Sequence, residues 1–146
     1  MNKINFENLP GTNTPINATN MNLLQTNVED AIMDSVATQL FYDSTASYTS
    51  ATLASAITNY DIIIVIGQST DGHQCSTTIY KPAVNDKIGL FAPKISQDVA
   101  IYNKQAVYEF TSATVLQSVE NHQLGGNTNI EAGNFIKIKA VLGYKL

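Results

Sequence analysis

Two hydrophobic rhythms divide the chain. From Met21 to Val36 the apolar residues Met21, Leu24, Val28, Ile32 and Val36 fall three or four positions apart. That spacing lays them along one stripe of a helix. Asn22, Gln25, Asn27, Glu29, Asp30 and Asp34 surround the stripe. Pro15 fixes its own φ and keeps Thr14 extended. Asn17 is then placed as N-cap, where its side-chain oxygen accepts from an N–H of the first turn. The predicted helix runs from Asn17 to Gln39. A lone helix of about twenty residues with so narrow a seam is marginal in water. The stripe is therefore expected to be covered by further copies of itself, as in a coiled-coil stalk.

From Leu40 onward the rhythm changes. The chain becomes rich in Thr, Ser, Tyr, Val and Ile and shows no helical period. Strands are predicted at Ser47–Leu53, Tyr60–Ile66, Cys75–Tyr80, Lys87–Phe91, Val99–Tyr102, Ala106–Ser112, Thr114–Glu120 and Phe135–Tyr144. Turn chemistry separates them at Thr70-Asp71-Gly72, Lys81-Pro82, Asn85-Asp86, Ala92-Pro93 and Leu124-Gly125-Gly126-Asn127. Asp61–Ile66 is apolar on both faces, which suits a central strand. Phe135–Val141 alternates at first, so one of its faces should meet water.

The expected fold is mainly β. An extended arm (1–16) and a single oligomerising helix (17–39) precede an antiparallel, jelly-roll-like β-sandwich head (40–146).

Composition narrows the class. Charged residues make up 14% of the 146, well under the usual quarter, and the net charge is −4. Asn, Thr, Ser and Gln carry the solubility instead. There is no arginine and the eight lysines are scattered. Phosphate recognition needs clustered cations, so nucleic acid is not an expected partner. The longest apolar run, Ile62–Ile66, has strand length and falls far short of the roughly twenty residues of a membrane span. The first residues lack the apolar core of a signal peptide, so synthesis in the cytoplasm is expected. The single cysteine, Cys75, rules out an intramolecular disulfide.

Two segments carry a resemblance. Thr14-Pro15-Ile16-Asn17-Ala18-Thr19-Asn20-Met21-Asn22, followed by Asn27-Val28-Glu29-Asp30-Ala31-Ile32, resembles the helix start of many tail and minor structural proteins of phages and prophages of Gram-positive bacteria. The usual form there is Thr-Pro-Leu-Asn-Ala-Glu-Asn-Leu-Asn. Thr19 stands where that form has Glu, which weakens the first-turn charge and leaves the cap. Asn134–Lys145, with Ile136-Lys137-Ile138 and Gly143-Tyr144-Lys145, is similar to the closing strand of small β domains in those proteins.

The resemblance implies a virion appendage, such as a tail fibre or receptor-binding protein. Its arm would hold other virion proteins, its helix would form a homotrimer, and its head would contact a host cell-wall polysaccharide. Two alternatives stand beside it. One is a purely structural head fibre, decoration or baseplate protein. The other is a wall-glycan hydrolase or esterase.

Candidate chemistry is sparse, and no catalytic residue, metal site or cofactor is assigned. His73 and Cys75 share a strand face at i and i+2, yet zinc takes about four ligands and one chain offers only this pair. No serine sits in a nucleophile elbow. No spacing singles out two of Asp86, Asp98, Glu109, Glu120 and Glu131 as a glycosidase pair. The Gly125-Gly126 segment lacks the Lys and the helix of a phosphate loop. Sugar binding asks for aromatic faces with amide and hydroxyl partners. Tyr102, Asn103, His122, Gln123, Asn127 and Asn129 lie in or near predicted loops and are the candidate ligand-binding residues.

The seam makes a direct prediction. At micromolar concentration the full chain should sediment as an oligomer, and a monomeric boundary would remove the stalk.

Overall fold

The structure, a computed structural model, describes residues 24–28, 36–47, 49–95, 101–124 and 130–146. By its internal contacts the chain divides between Val36 and Ala37.

In the first unit residues 24–28 are helical, and two seam residues, Leu24 and Val28, are 43% and 49% exposed. Met21, Ile32, the Asn17 cap and the 1–16 arm lie outside the described residues. Val36 sits in a bend and the chain is extended from Thr38. The helix read as far as Gln39 therefore ends earlier, and Val36 is not a helical seam position. The reason is tertiary. Thr38 and Gln39 pair with Gly143 and Leu142, so the β unit begins before Leu40.

The second unit is an antiparallel β-sandwich. Its strands are β1 (Thr38–Ser47), β2 (Ser50–Thr52), β3 (Ile62–Ser69), β4 (Gln74–Tyr80), β5 (Lys87–Ile95), β6 (Ile101–Ser112), β7 (Val115–Leu124), β8 (Ile130–Ala132) and β9 (Ile136–Tyr144). The back sheet has the order β1-β9-β3-β4. The front sheet has the order β2-β7-β6-β5, with β8 also paired to β7. Hairpin β3–β4 stays within the back sheet and meander β5–β6–β7 within the front one. The chain changes sheet from β1 to β2, from β2 to β3, from β4 to β5 and from β8 to β9.

Alternation explains most of the strands. In β6, Lys104, Ala106, Tyr108 and Phe110 turn inward, while Asn103, Gln105, Val107 and Glu109 turn outward. In β5, Ile88, Leu90 and Ala92 turn inward. With Leu40, Ile57, Ile63, Val65, Leu116, Ile136, Ile138 and Val141 they form one core between the sheets. Each such Leu, Ile or Phe contributes about 1.5–3 kcal/mol on burial. Gly67 of β3 allows the close approach. A Cβ there would meet Leu90 Cδ1 at 2.7 Å and Ile136 Cγ2 at 3.1 Å.

Several strands differ from expectation. β1 extends through Leu40–Asp43, where no strand is expected from sequence, because register shifts on both sides of Phe41-Tyr42 break its two-residue rhythm. Residues 101–102 and 106–112, read as parts of two strands, belong to one, β6, in which the inward Lys104 hides the pattern; Val99 and Ala100 lie outside the described residues. Ala92-Pro93 is not a turn. It lies within β5, at the edge of the front sheet, where a proline is tolerated. β8 is an additional strand. β3 is interior to its sheet as expected, although its outer face (Ile62, Ile64, Ile66) is only half-buried. β9 alternates up to a bulge at Lys139, after which Val141 and Gly143 take the inward positions.

Polar ties join the sheets at the start of β9. The Asn121 side chain on β7 accepts from the N–H groups of Phe135 (2.9 Å) and Ile136 (3.1 Å) and donates to the Ile136 carbonyl (2.7 Å). Tyr108 donates its hydroxyl to the same carbonyl at 2.7 Å. Beside them Lys104, 4% exposed, donates to Thr70 and Asp71 in the β3–β4 turn. Its ammonium also lies 5.8 Å from the Phe135 ring centre. Among the described residues no buried side-chain polar atom lacks a partner.

Asn121→Ala removes the acceptor of two backbone N–H groups and is expected to lower stability by about 3 kcal/mol. Tyr108→Phe leaves Asn121 on the Ile136 carbonyl and should cost only about 1 kcal/mol. Urea unfolding of the two variants checks the ranking.

Candidate functional site

The meander β5–β6–β7 fixes the neighbours on its outer face by register alone. Residues directly opposite one another in antiparallel strands share a face. Phe91 lies opposite Gln105, Gln105 opposite His122, and His122 opposite Ala132 of β8. The next row is Pro93, Asn103, Leu124 and Ile130. Phe91 is 52% exposed, and Asn103, Gln105 and His122 are half-buried between their neighbours. An aromatic ring, two carboxamides and an imidazole thus stand side by side. The two rows contain no Lys, Asp or Glu. Charge enters the face further along, where Lys87 and Glu109 pair at 3.7 Å and Glu120 is exposed.

A second feature adjoins the same sheet. β2 pairs with β7 at Val115–Gln117 and β8 pairs with it at His122–Leu124; between them Ser118 N–H donates to the Thr49 carbonyl and Gly133 N–H to the Asn121 carbonyl, which leaves only a short gap at Val119-Glu120. A cleft of about 380 Å³ fills this gap, lined by Thr49, Gln117, Ser118, Asn121, Gly133 and Asn134. Its lining is hydroxyl, amide and backbone, without a charged side chain. The Asn121 amide is committed to β9, which leaves Thr49, Gln117, Ser118 and Asn134 as the side chains suited to a neutral polar ligand. The volume lies within the usual range for small-ligand sites.

Of the residues proposed from sequence, Asn103 and His122 come together on the outer face as diagonal neighbours. Gln123 does not join them. It pairs with Lys104 and shares the opposite, inward face. The side chain of Tyr102 and all of Asn127 and Asn129 lie outside the described residues. Phe91 and Gln105, which flank Asn103 and His122 on the outer face, are not among the candidate ligand-binding residues named from the sequence. From sequence Phe91 falls at the end of a strand, beside an expected Ala92-Pro93 turn. Gln105 falls in the gap between two expected strands. The usable signal was the alternation Phe91-Ala92-Pro93 and Asn103-Lys104-Gln105, read as strand throughout.

His73 is exposed at the β3–β4 turn, whereas Cys75 packs against the core. Burial pushes the Cys75 thiol up, outweighing hydrogen bonds with the backbone at Phe91 and Gly67. Among the described residues no group of three or more His, Cys, Asp or Glu is placed to hold a metal ion. Nor is any helix of the described residues long and apolar enough to cross a membrane.

Compared with protein-family models, curated proteins and solved structures, the chain matches none.

The raised thiol pKa has a signed consequence. A neutral Cys75 is favoured by the fold, so its stabilisation is full below the ordinary thiol value of 9.0 and is lost as pH rises through the higher folded value. The native protein should react with iodoacetamide more slowly than the urea-unfolded chain. Cys75→Val should remove part of the alkaline loss of stability, read as melting temperature against pH.

Proposed function

We propose that this chain is an appendage protein of a phage or prophage particle, whose β-sandwich binds a host wall polysaccharide without breaking a bond. The observation that carries the reading is the cluster of Phe91, Gln105, His122 and Asn103 on the outer front face. A sugar ring has a C–H face and a rim of hydroxyls. An exposed aromatic ring suits the first, and carboxamides and an imidazole suit the second. The absence of Lys, Asp and Glu from these rows suits a neutral glycan and binding that is insensitive to salt.

The helix that includes residues 24–28 trimerises the protein through the Met21–Ile32 stripe, and the 1–16 arm holds neighbouring virion proteins. Exposed Leu24 and Val28 support a seam covered by sister chains. Several heads on one particle then multiply weak single-site affinity through effective concentration.

One observation favours the structural alternative, a head fibre, decoration or baseplate part. The outer back face presents half-buried Ile62, Ile64, Ile66 and Leu142 beside exposed Tyr80. Contiguous apolar surface of this kind marks protein contacts.

Sedimentation of the full chain with purified host wall polysaccharide separates the two readings. Wild-type protein should be retained at both low and high salt. Phe91→Ala should weaken retention about tenfold, close to 1.4 kcal/mol, with an unchanged melting temperature. Wild-type protein that stays in the supernatant, or a Phe91→Ala variant that binds equally well, would exclude the glycan face.

A further inference from the structure

A β-sandwich has open edges, and an unguarded edge strand is a template for another strand. Most edges of this one carry a guard. β2 and β8 are three residues each. β1 is interrupted by two register shifts. β5 holds Pro93 within the strand and exposed Lys87 at its start. β4 carries none of these devices. It pairs with β3 from Gln74 to Tyr80 without a register shift, and Gln-Cys-Ser-Thr-Thr-Ile-Tyr contains no charge, proline or glycine.

The ladder fixes which groups point outward. Ser69 N–H donates to His73 O at one end and Lys81 N–H donates to Asp61 O at the other. The register between these ends is constant. Hydrogen bonding therefore alternates along β4, and Cys75, Thr77 and Ile79 exchange their backbone bonds with β3. The backbone N–H and C=O groups of Gln74, Ser76, Thr78 and Tyr80 point away from the sheet. The side chains of these four residues are exposed as well.

We propose that β4 is a self-association edge, pairing antiparallel with β4 of a second copy across a two-fold axis at Thr77. In that register Gln74 faces Tyr80, Cys75 faces Ile79, and Ser76 faces Thr78. Thr77 meets its own symmetry mate as a non-hydrogen-bonded pair. Every outward backbone group then finds a partner. Isologous pairing brings each side chain near a copy of its own strand. A charged strand would repel itself there, and this one has no charge to do so. The back sheet would become continuous across the axis, and the Ile62-Ile64-Ile66 strip with Tyr80 would lie on its shared outer face. Seven residues of strand bury less than a standard interface, so the contact is weak alone and strengthens with local concentration. It is independent of the helical stalk and of the glycan face.

Two measurements on the full chain test this. Ser76→Lys/Thr78→Lys places like charges across the axis at positions that leave the β3–β4 ladder intact. Over a concentration series, wild-type protein should show a reversible doubling of sedimenting mass that the double variant lacks, while both melt alike. In a Cys75→Ser background, Thr77→Cys should oxidise to a disulfide-linked dimer, because the about 4.5 Å Cα separation of a non-hydrogen-bonded pair fits a disulfide. Identical sedimentation of wild type and double-lysine variant, or no Thr77→Cys dimer under conditions that oxidise a control thiol, would overturn the proposal and leave the edge to a strand of another protein.

Discussion

The first residues of β9 constrain the rest of the sandwich. β9 lies between β1 and β3, so its register sets that of the whole back sheet. A slip of one residue would turn Ile136, Ile138 and Val141 out of the core. The sequence of β9 alone guards weakly against such a slip, since Ile136-Lys137-Ile138-Lys139 nearly repeats itself. The register is held from the other sheet. Asn121 binds both the N–H and the C=O of Ile136, and Tyr108 binds the same carbonyl. These bonds are buried or partly buried, where an unpaired amide is costly. A shifted strand would lose them together.

The same end of the sandwich shows why one inward cation is tolerated. Lys104 extends the inward row of Ala106, Tyr108 and Phe110 to the margin of the core. There its ammonium meets Asp71 and Thr70 in the turn of the opposite sheet. The charge is paired across the sandwich, and the Phe135 ring lies beside it. Lys104 and Asn121 thus tie the front sheet to the β3–β4 turn and to β9. The outer front face is built on the other side of the same strands. The alignment of Phe91 with Gln105 and His122 follows from the register of β5, β6 and β7.

The outer surfaces of the two sheets differ in chemistry. The front face combines an aromatic ring with amides, which suits a hydroxyl-rich ligand. The back face is aliphatic and ends at an edge strand without guards, which suits contact with protein. The sandwich keeps these two kinds of surface apart by its own thickness, as the proposed function requires.

The mainly β character, the interior place of β3 and the half-exposed face of β9 were legible in the sequence, because period-two alternation and unbroken apolar runs are local signals. Asn103 and His122 were legible as residue types, though not as neighbours. The helix limit at Gln39, the strand β1 and the unity of β6 were not legible, because each depends on a remote partner. Thr38 and Gln39 are extended because Gly143 and Leu142 are there to pair with them. Lys104 can point inward because Asp71 waits on the other sheet. Sequence by itself determined which stretches favour strands and where turns such as Asp71-Gly72 fall, since backbone preference and hydrophobic period act over a few residues. Tertiary structure decided which side chains share a face and which edges stay open, since pairing between distant segments fixes register, and register alone sets neighbours across a sheet.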